Sequence, residues 1–137
     1  MRILFILAGF SVALPAAAQE ALSFQTPSGN IHCVAMTGYG GDGMRCDMMD
    51  YTPSIPVDRP QDCDLDYGHA FWIGVGDAAG SLVCAGDTVL DPSHPVLDYG
   101  QSVTTAGITC TSAKTGLTCE NASGHGFSLS RKAQSLF

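Results

Sequence analysis

The chain has 137 residues, with 13 acidic and six basic side chains and a formal net charge of −7. This length suits a single domain, and a hydrophobic fraction of 45% is too high for an intrinsically disordered chain. The acidic balance leaves little for the clustered Lys and Arg footprint that nucleic-acid binding requires, so we expect no nucleic-acid partner.

The first 18 residues predict an export signal. Met1-Arg2 supplies a positive start, residues 3–14 form a nearly continuous apolar run, and Pro15-Ala16-Ala17-Ala18 supplies an A-x-A cleavage site. The run is shorter than the roughly 18–20 apolar residues of a spanning helix, which disfavours a membrane anchor. Cleavage after Ala18 leaves residues 19–137 as one secreted or periplasmic domain with five basic and 13 acidic groups, a net charge of −8. We expect this domain to be a monomer without a membrane span.

The rest of the chain predicts short β-strands separated by Gly- and Pro-containing turns. We predict strands at residues 22–25, around Cys33 and Cys46, at 69–75 and 81–85, around Cys110 and Cys119, and at 127–129. Three prolines make residues 52–60 a rigid connecting loop, and Ser130 is placed to cap a final helical turn through Leu136. No 3.6-residue apolar period persists, so the predicted fold is an all-β sandwich or barrel-like domain with little helix.

Six cysteines lie in the predicted domain, and their even number in an exported chain predicts three disulfides. They are Cys33, Cys46, Cys63, Cys84, Cys110 and Cys119. The chain has no C-x-x-C pair, which disfavours a zinc site. Six cysteines allow 15 connectivities, and their number alone does not choose among them.

Local hairpin geometry favours one connectivity. The four-residue loop 113–116 ends in Gly116, at a position where the turn requires a left-handed backbone conformation. The strand register set by this loop places Cys110 opposite Cys119. The same I-x-C and G-(apolar)-x-C-(acid) pattern surrounds Cys33 and Cys46, with residues 37–42 as the loop, so these two cysteines are also expected to pair. Cys63–Cys84 then follows by elimination. The repeated pattern fits either a duplication or two hairpins that meet the same steric demand.

Two sets of residues could suggest a metal site, but each matches known metal-ligand patterns poorly. Asp62, Asp64 and Asp66 form a D-x-D-x-D start, but an EF-hand loop would need Gly at the position of Tyr67 and Glu at the position of Ile73. A set of soft ligands could suggest copper, although Met is more often core filler. This set comprises His32, Met36, Met44, Met48 and Met49, of which only Met44 and Met48 share a strand face with Cys46. We predict no bound metal and no cofactor.

Candidate catalytic and ligand-binding residues lack a recognisable motif. The four histidines are His32, His69, His94 and His125, and no nucleophile motif accompanies them. A His–carboxylate site assembled in space remains an alternative. The aromatic residues Tyr67, Phe71, Trp72 and Tyr99 could line a ligand surface or form the core. Asn121-Ala122-Ser123 is a glycosylation sequon, meaningful only in a eukaryotic protein.

Seven sequence blocks resemble a family of small exported bacterial domains of unknown function. They are PSGNIHC, CDLDYG, LVCAGDTVLD, PVLDYG, ITCTS, GLTC and GHGFSLSR, at residues 27–33, 63–68, 82–91, 95–100, 108–112, 116–119 and 124–131. The resemblance covers about residues 24–137. It implies bacterial export, one compact domain and paired cysteines, and it brings no activity, cofactor or catalytic residue.

The leading functional hypothesis is a non-enzymatic binding or envelope-associated module for an unknown protein or small ligand. Its basis is the abundance of structural cysteines and turns without a catalytic motif. The alternatives are a small hydrolase with a His–carboxylate site, and a protease inhibitor that presents residues 52–60 as a rigid loop.

Overall fold

The computed structural model describes residues 22–137, which form two antiparallel five-stranded sheets. The strands are β1 Ser23–Gln25, β2 Ile31–Gly38, β3 Gly41–Met48, β4 Tyr67–Gly74, β5 Ser81–Cys84, β6 Ser102–Thr105, β7 Ile108–Ala113, β8 Gly116–Glu120, β9 Gly126–Leu129 and β10 Gln134–Leu136. This part of the chain contains no helix, so the all-β, sandwich-like prediction is confirmed. The predicted export signal lies outside the described residues.

Each sheet is a meander in which strands adjacent in sequence are adjacent in space. The first sheet has the order β1-β2-β3-β4-β5 and the second the order β10-β9-β8-β7-β6. The first half of the described chain therefore makes one sheet and the second half makes the other. The sheets meet at a common hydrophobic core, where the rings of Phe71 on β4 and Phe127 on β9 lie 6.0 Å apart.

Equivalent register rows cross the middle of both sheets. The first row contains Phe24, Cys33, Cys46, Phe71 and Leu82, and the second contains Val103, Cys110, Cys119, Phe127 and Leu136. Two cysteines occupy the second and third positions of each row and form the Cys33–Cys46 and Cys110–Cys119 disulfides. The sulfurs of Cys46 and Cys119 are 3.9 Å apart, so the two disulfides pack against each other at the centre of the core.

The predicted hairpin register and all three disulfides are confirmed. Cys110 lies opposite Cys119, and the Cys63–Cys84 disulfide ties the loop before β4 to the end of β5. The predicted loop at residues 37–42 is wrong, because the strands continue inward to Gly38 and Gly41. The turn is only Tyr39-Gly40, and both residues have the positive φ angles, 47° and 98°, that a two-residue type I′ hairpin requires.

The glycine that opens each repeated G-(apolar)-x-C pattern allows the next strand to approach closely. A Cβ on Gly43 would lie 2.5 Å from the carbonyl oxygen of Ile73 on β4. A Cβ on Gly116 would lie closer still to the carbonyl oxygen of Leu129 on β9. Gly116 also has a positive φ of 137°, as the turn argument requires, but the close backbone approach is what the two positions share.

In the chain's second half, one expectation is wrong and one strand was not predicted. The final helical turn is wrong, because Gln134–Leu136 pairs with β9 as strand β10. The Ser130 hydroxyl accepts a hydrogen bond from the Ala133 amide and closes the β9–β10 turn instead. Strand β6, Ser102–Thr105, lies at the edge of the second sheet and was not predicted. Three of its four residues are Ser or Thr, so its polar composition gave little strand signal.

The Pro-rich loop at residues 52–60 has no regular structure, as predicted. Its first part lies against the second sheet. The Ser54 amide donates to the side-chain oxygen of Gln134, and the Gln134 side-chain amide donates to the carbonyl of Thr52. The hydroxyl of Tyr51, just before the loop, donates to the carbonyl of Gly68 on β4. These bonds fix the start of the loop against the two sheets, so this part does not project freely into solvent.

Candidate functional site

Four turns converge at one end of the sandwich and enclose a groove of about 330 Å³. They are the β1–β2 turn, the segment before β6, and the β7–β8 and β9–β10 turns. The lining residues are Thr26, Ser28, Asn30, Ile31, Tyr99, Ala113, Lys114, Thr115, Gly116, Leu129, Ser130, Arg131 and Lys132. The volume is within the range of small-ligand pockets, and turns at the end of a rigid sandwich are a common place for binding sites.

The groove concentrates positive charge in an acidic protein. Its lining includes Lys114, Arg131 and Lys132, which are three of the six basic residues in the whole chain. No carboxylate is among the lining residues. Positive charge gathered in a concave, partly apolar site raises the local concentration of anions. The groove is therefore suited to an anionic group.

One carboxylate lies at the rim and pairs with a lining cation. The Arg131 guanidinium donates a hydrogen bond from Nη1 to Asp50 Oδ2, and both side chains are more than half exposed. The backbone carbonyl of Arg131 accepts a bond from the Thr52 amide, which holds the β9–β10 turn in place. Exposed ion pairs are weak, so Asp50 moderates the positive charge of the groove but does not cancel it.

Hydrogen bonds of two buried side chains hold the β1–β2 wall of the groove. The side chain of Asn30 donates to the backbone carbonyl of Asp50 at 2.9 Å and accepts from the Asp50 amide at 2.7 Å. The Thr26 hydroxyl accepts a bond from the Ile31 amide across the turn. Asn30 and Thr26 are both buried, so the wall is preformed and needs little ordering when a ligand binds.

Of the aromatic residues considered as ligand contacts, one lines the groove. Phe71 and Trp72 are buried in the two core clusters, and Tyr67 is half-buried on β4. Tyr99 is 47% exposed and lines the groove from the turn before β6. The cations Lys114, Arg131 and Lys132 were not singled out from the sequence. Their signal was that half of the chain's basic residues fall in two turns within its last 24 positions.

A second polar cluster lies on the outer face of the first sheet. Arg45 and Asp47 on β3 form a buried bidentate ion pair, with Nε–Oδ1 and Nη2–Oδ2 distances of 2.9 Å. Arg45 also donates to the side chain and the carbonyl of Asp87, and Asp47 accepts a bond from the Val89 amide. These contacts fasten the segment around Asp87–Val89 over the sheet. The cluster is therefore a structural clamp.

The clamp shifts the ionisation of its members. Burial alone would lower the pKa of Arg45, but its hydrogen bond and charge interaction with Asp47, followed by the bond to Asp87, raise that pKa above its usual value. The hydrogen bond and the positive charge of Arg45 lower the pKa of Asp87. Both shifts favour the charged forms.

Two of the four histidines, His32 and His94, are close neighbours. Nε2 of His69 is 3.8 Å from Oδ2 of Asp47, but that carboxylate is already held by Arg45 and Val89. His32 is buried, bonds the carbonyl of Gly29, and lies 5.6 Å from the ring of His94. His125 lies in the turn between β8 and β9. None of the four lines the groove.

The structure places the two candidate metal sets differently. Asp62, Asp64 and Asp66 are all exposed in the loop around Cys63. Met44 and Met48 lie in the core with Cys46, as the strand alternation predicted, while Met36 packs on the opposite face and Met49 is exposed. Within residues 22–137, one group of three candidate ligands is close together, the sulfurs of Cys33, Cys46 and Cys119. All three belong to disulfides.

The asparagine of the sequon has a structural role. Asn121 is buried, and its side-chain amide donates to the carbonyls of Gly74 and Asp77 in the first sheet's β4–β5 turn. Its side-chain oxygen accepts bonds from the amides of Ser123 and His125. Asn121 therefore ties one sheet to the other, and its side-chain nitrogen is not available on the surface.

The three disulfides indicate an oxidising location outside the cytoplasm. Among the described residues, no helix is long and apolar enough to cross a membrane.

The sequence belongs to DUF6636, a family of unknown function whose profile matches residues 3–137. The resemblance to a family of unknown function is thus confirmed over nearly the whole chain, while bacterial origin and export remain predictions. No curated protein and no solved structure matches the chain.

Proposed function

We propose that this member of the DUF6636 family is an exported, monomeric, non-enzymatic binding domain that holds an anionic ligand in the groove between its turns. The observation that carries the proposal is the placement of Lys114, Arg131 and Lys132 around one concave site without a lining carboxylate. The rest of the chain has the opposite balance, with 13 acidic residues in all.

The contrast with the remaining basic residues supports a binding role. Arg45 is buried and neutralised by Asp47 and Asp87, so it serves the fold. Among the three groove cations, only Arg131 has a carboxylate partner within the described residues, and that partner is the exposed Asp50. Gathering like charges in one groove costs stability through repulsion, and a bound anion would remove that cost.

The expected ligand is small or presents one anionic group at a time. The acidic protein as a whole repels polyanions, and the positive groove acts only at short range because salt screens charges beyond about 8 Å at physiological ionic strength. The Tyr99 ring beside the cations adds an apolar surface to the site. An anionic group attached to an apolar or ring-shaped body fits this combination.

Titration with sulfate and with galacturonate, followed by amide NMR spectra, tests the proposal. Lys114→Gln and Lys132→Gln should each weaken binding about fivefold, equivalent to roughly 1 kcal/mol, since each removes one cation from the site. Asp50→Asn should strengthen binding, because it frees Arg131. Arg59→Gln is the matched control, since Arg59 is an exposed cation in the 52–60 loop.

Equal losses in the Lys114, Lys132 and Arg59 variants would show that only net charge matters and would overturn the proposal. Absence of anion-dependent shifts at the groove amides would overturn it as well. A catalytic turnover that is lost on substitution of His69 would favour the hydrolase alternative.

A further inference from the structure

The outer face of the second sheet carries a hydroxyl side chain on every strand in one register row. The row consists of Ser102, Thr111, Thr118, Ser128 and Ser135. Hydroxyl–hydroxyl contacts of 2.8 Å join Ser102 to Thr111 and Thr118 to Ser128. With strands about 4.8 Å apart, the row extends for roughly 19 Å across the sheet.

This face adjoins the cationic groove. A second cavity of about 440 Å³ lies over the sheet and is lined by four members of the row, Thr111, Thr118, Ser128 and Ser135. Both cavities share five lining residues, Ala113, Thr115, Gly116, Leu129 and Ser130. The groove and the hydroxyl face therefore form one continuous trough.

The two ends of the trough differ in charge. Lys114, Arg131 and Lys132 line the groove end, whereas no charged side chain lines the cavity over the sheet. Thr111, Thr118 and Ser128 each satisfy part of their hydrogen-bonding capacity with a neighbouring hydroxyl, and each retains capacity for a ligand. An extended ligand would meet cations at one end and a row of neutral donors and acceptors along the rest.

We infer that the ligand is a linear acidic polysaccharide, an inference that rests on the anion-binding function proposed above. One acidic sugar occupies the groove, with its carboxylate among the cations and its ring against Tyr99. The neighbouring sugars extend over the hydroxyl row and exchange hydrogen bonds with Thr118 and Ser128. Hydroxyl-rich chains match a hydroxyl-rich face, because each side chain can donate or accept as the sugar requires.

The trough fits a nucleic acid less well. Single-stranded nucleic acids are bound by grooves whose cations follow the phosphate backbone and whose aromatic side chains stack successive bases. Here the cations stop at the groove, and the cavity over the sheet is lined by no aromatic side chain. The charge gradient favours a chain held strongly at one point and weakly along the remainder.

Calorimetric titration with galacturonic acid, from the monosaccharide to the octamer, tests the inference on the full mature domain. Affinity should rise about tenfold or more from the monosaccharide to the hexamer as sugars reach the hydroxyl face. A tenfold rise corresponds to about 1.4 kcal/mol of binding free energy. Malto-oligosaccharides of equal length, which lack the carboxylate, should bind at least tenfold more weakly.

A paired variant separates the hydroxyl face from the groove. Thr118→Val with Ser128→Ala should abolish most of the gain with chain length but leave the affinity for the monosaccharide unchanged. Thr104→Val is the matched control, since Thr104 shares a 2.9 Å hydroxyl contact with Thr109 on the same sheet but lines neither cavity. Thermal unfolding of each variant confirms that it is folded.

The outcomes distinguish the two proposals. Groove-dependent binding of the monosaccharide with no gain in longer oligomers overturns the polysaccharide inference and leaves the anion site standing. Failure of every anion to bind overturns both. Binding of an oligothymidylate as tightly as the hexagalacturonate would replace the polysaccharide with a nucleic acid and also overturn the inference.

Discussion

Cys46 and Cys119 occupy equivalent places in the two sheets, and the residues beside them differ sharply. On the first sheet the flanking positions are Arg45 and Asp47, which are buried under the segment around Asp87. On the second sheet they are Thr118, which is half-buried, and Glu120, which is exposed. The inner faces of the two sheets follow one plan, whereas one outer face is covered and the other is open.

This difference separates the polar residues that stabilise the fold from those of the proposed binding site. The covered face uses its charges internally, since Arg45 and Asp47 neutralise each other and hold the covering segment. The open face has its hydroxyls at the surface and leads into the cationic groove. We therefore assign stability to the polar residues of the first sheet and the proposed binding to those of the second.

The largest expected effect comes from breaking the clamp. Arg45→Met leaves the Asp47 carboxylate buried without its partner, and loss of one member of a buried ion pair costs about 3–5 kcal/mol. The equivalent change on the open face, Thr118→Val, should alter the free energy of unfolding by no more than about 0.5 kcal/mol. Urea denaturation of both variants measures the contrast, and equal losses would contradict the assignment.

The central disulfides should contribute nearly equally, because the inner faces are equivalent. They close chain segments with sequence separations of 13 and nine residues. In the chain-entropy model, removing the pair at Cys33 and Cys46 costs about 3.0 kcal/mol and removing that at Cys110 and Cys119 about 2.7 kcal/mol. Double Ala variants measured by denaturant unfolding check this. A difference of several kcal/mol would mean that one sheet alone organises the core.

Substitution of Gly43 and Gly116 tests more sharply whether the inner faces of the two sheets are built alike. Gly43→Ala and Gly116→Ala each place a Cβ against a carbonyl of the next strand, so each should cost about 1–3 kcal/mol through overpacking. A Cβ on Gly76 would meet nothing within 4 Å, and the φ of this residue is ordinary, so Gly76→Ala is the control. If thermal melts show no loss of stability for Gly43→Ala, the close approach of neighbouring strands matters only in the second sheet.

The smallest expected effect comes from Asp87, in the segment that covers the first sheet, and it should depend on pH. Asp87→Asn removes an exposed partner of Arg45, so it should cost only about 0.5 kcal/mol at neutral pH. The folded-state pKa of Asp87 is lowered, so its stabilisation is present above its ordinary pKa of 3.8 and is lost as the pH falls through the lowered value. The gap between wild type and variant should therefore shrink below about pH 4. A gap that grows in acid would contradict the Arg45 contact.

The sequence predicted what depends on neighbours along the chain. The Cys110–Cys119 register follows from a short hairpin, and the all-β fold follows from turns and short alternating strands. It did not predict the clamp, because Arg45 meets Asp87 across 42 positions of sequence. The groove was missed for the same reason, since its walls come from turns at both ends of the chain and meet only when the two meanders pack.

The trough can be mapped most directly by amide NMR spectra of the domain titrated with hexagalacturonate. We expect shift changes at Lys114, Gly116 and Lys132 in the groove and at Thr118 on the open face, with the Asp47 and Asp87 amides of the covered face unchanged. Shift changes centred on the covered face, or none at a saturating concentration of the oligomer, would contradict the assignment of binding to the second sheet.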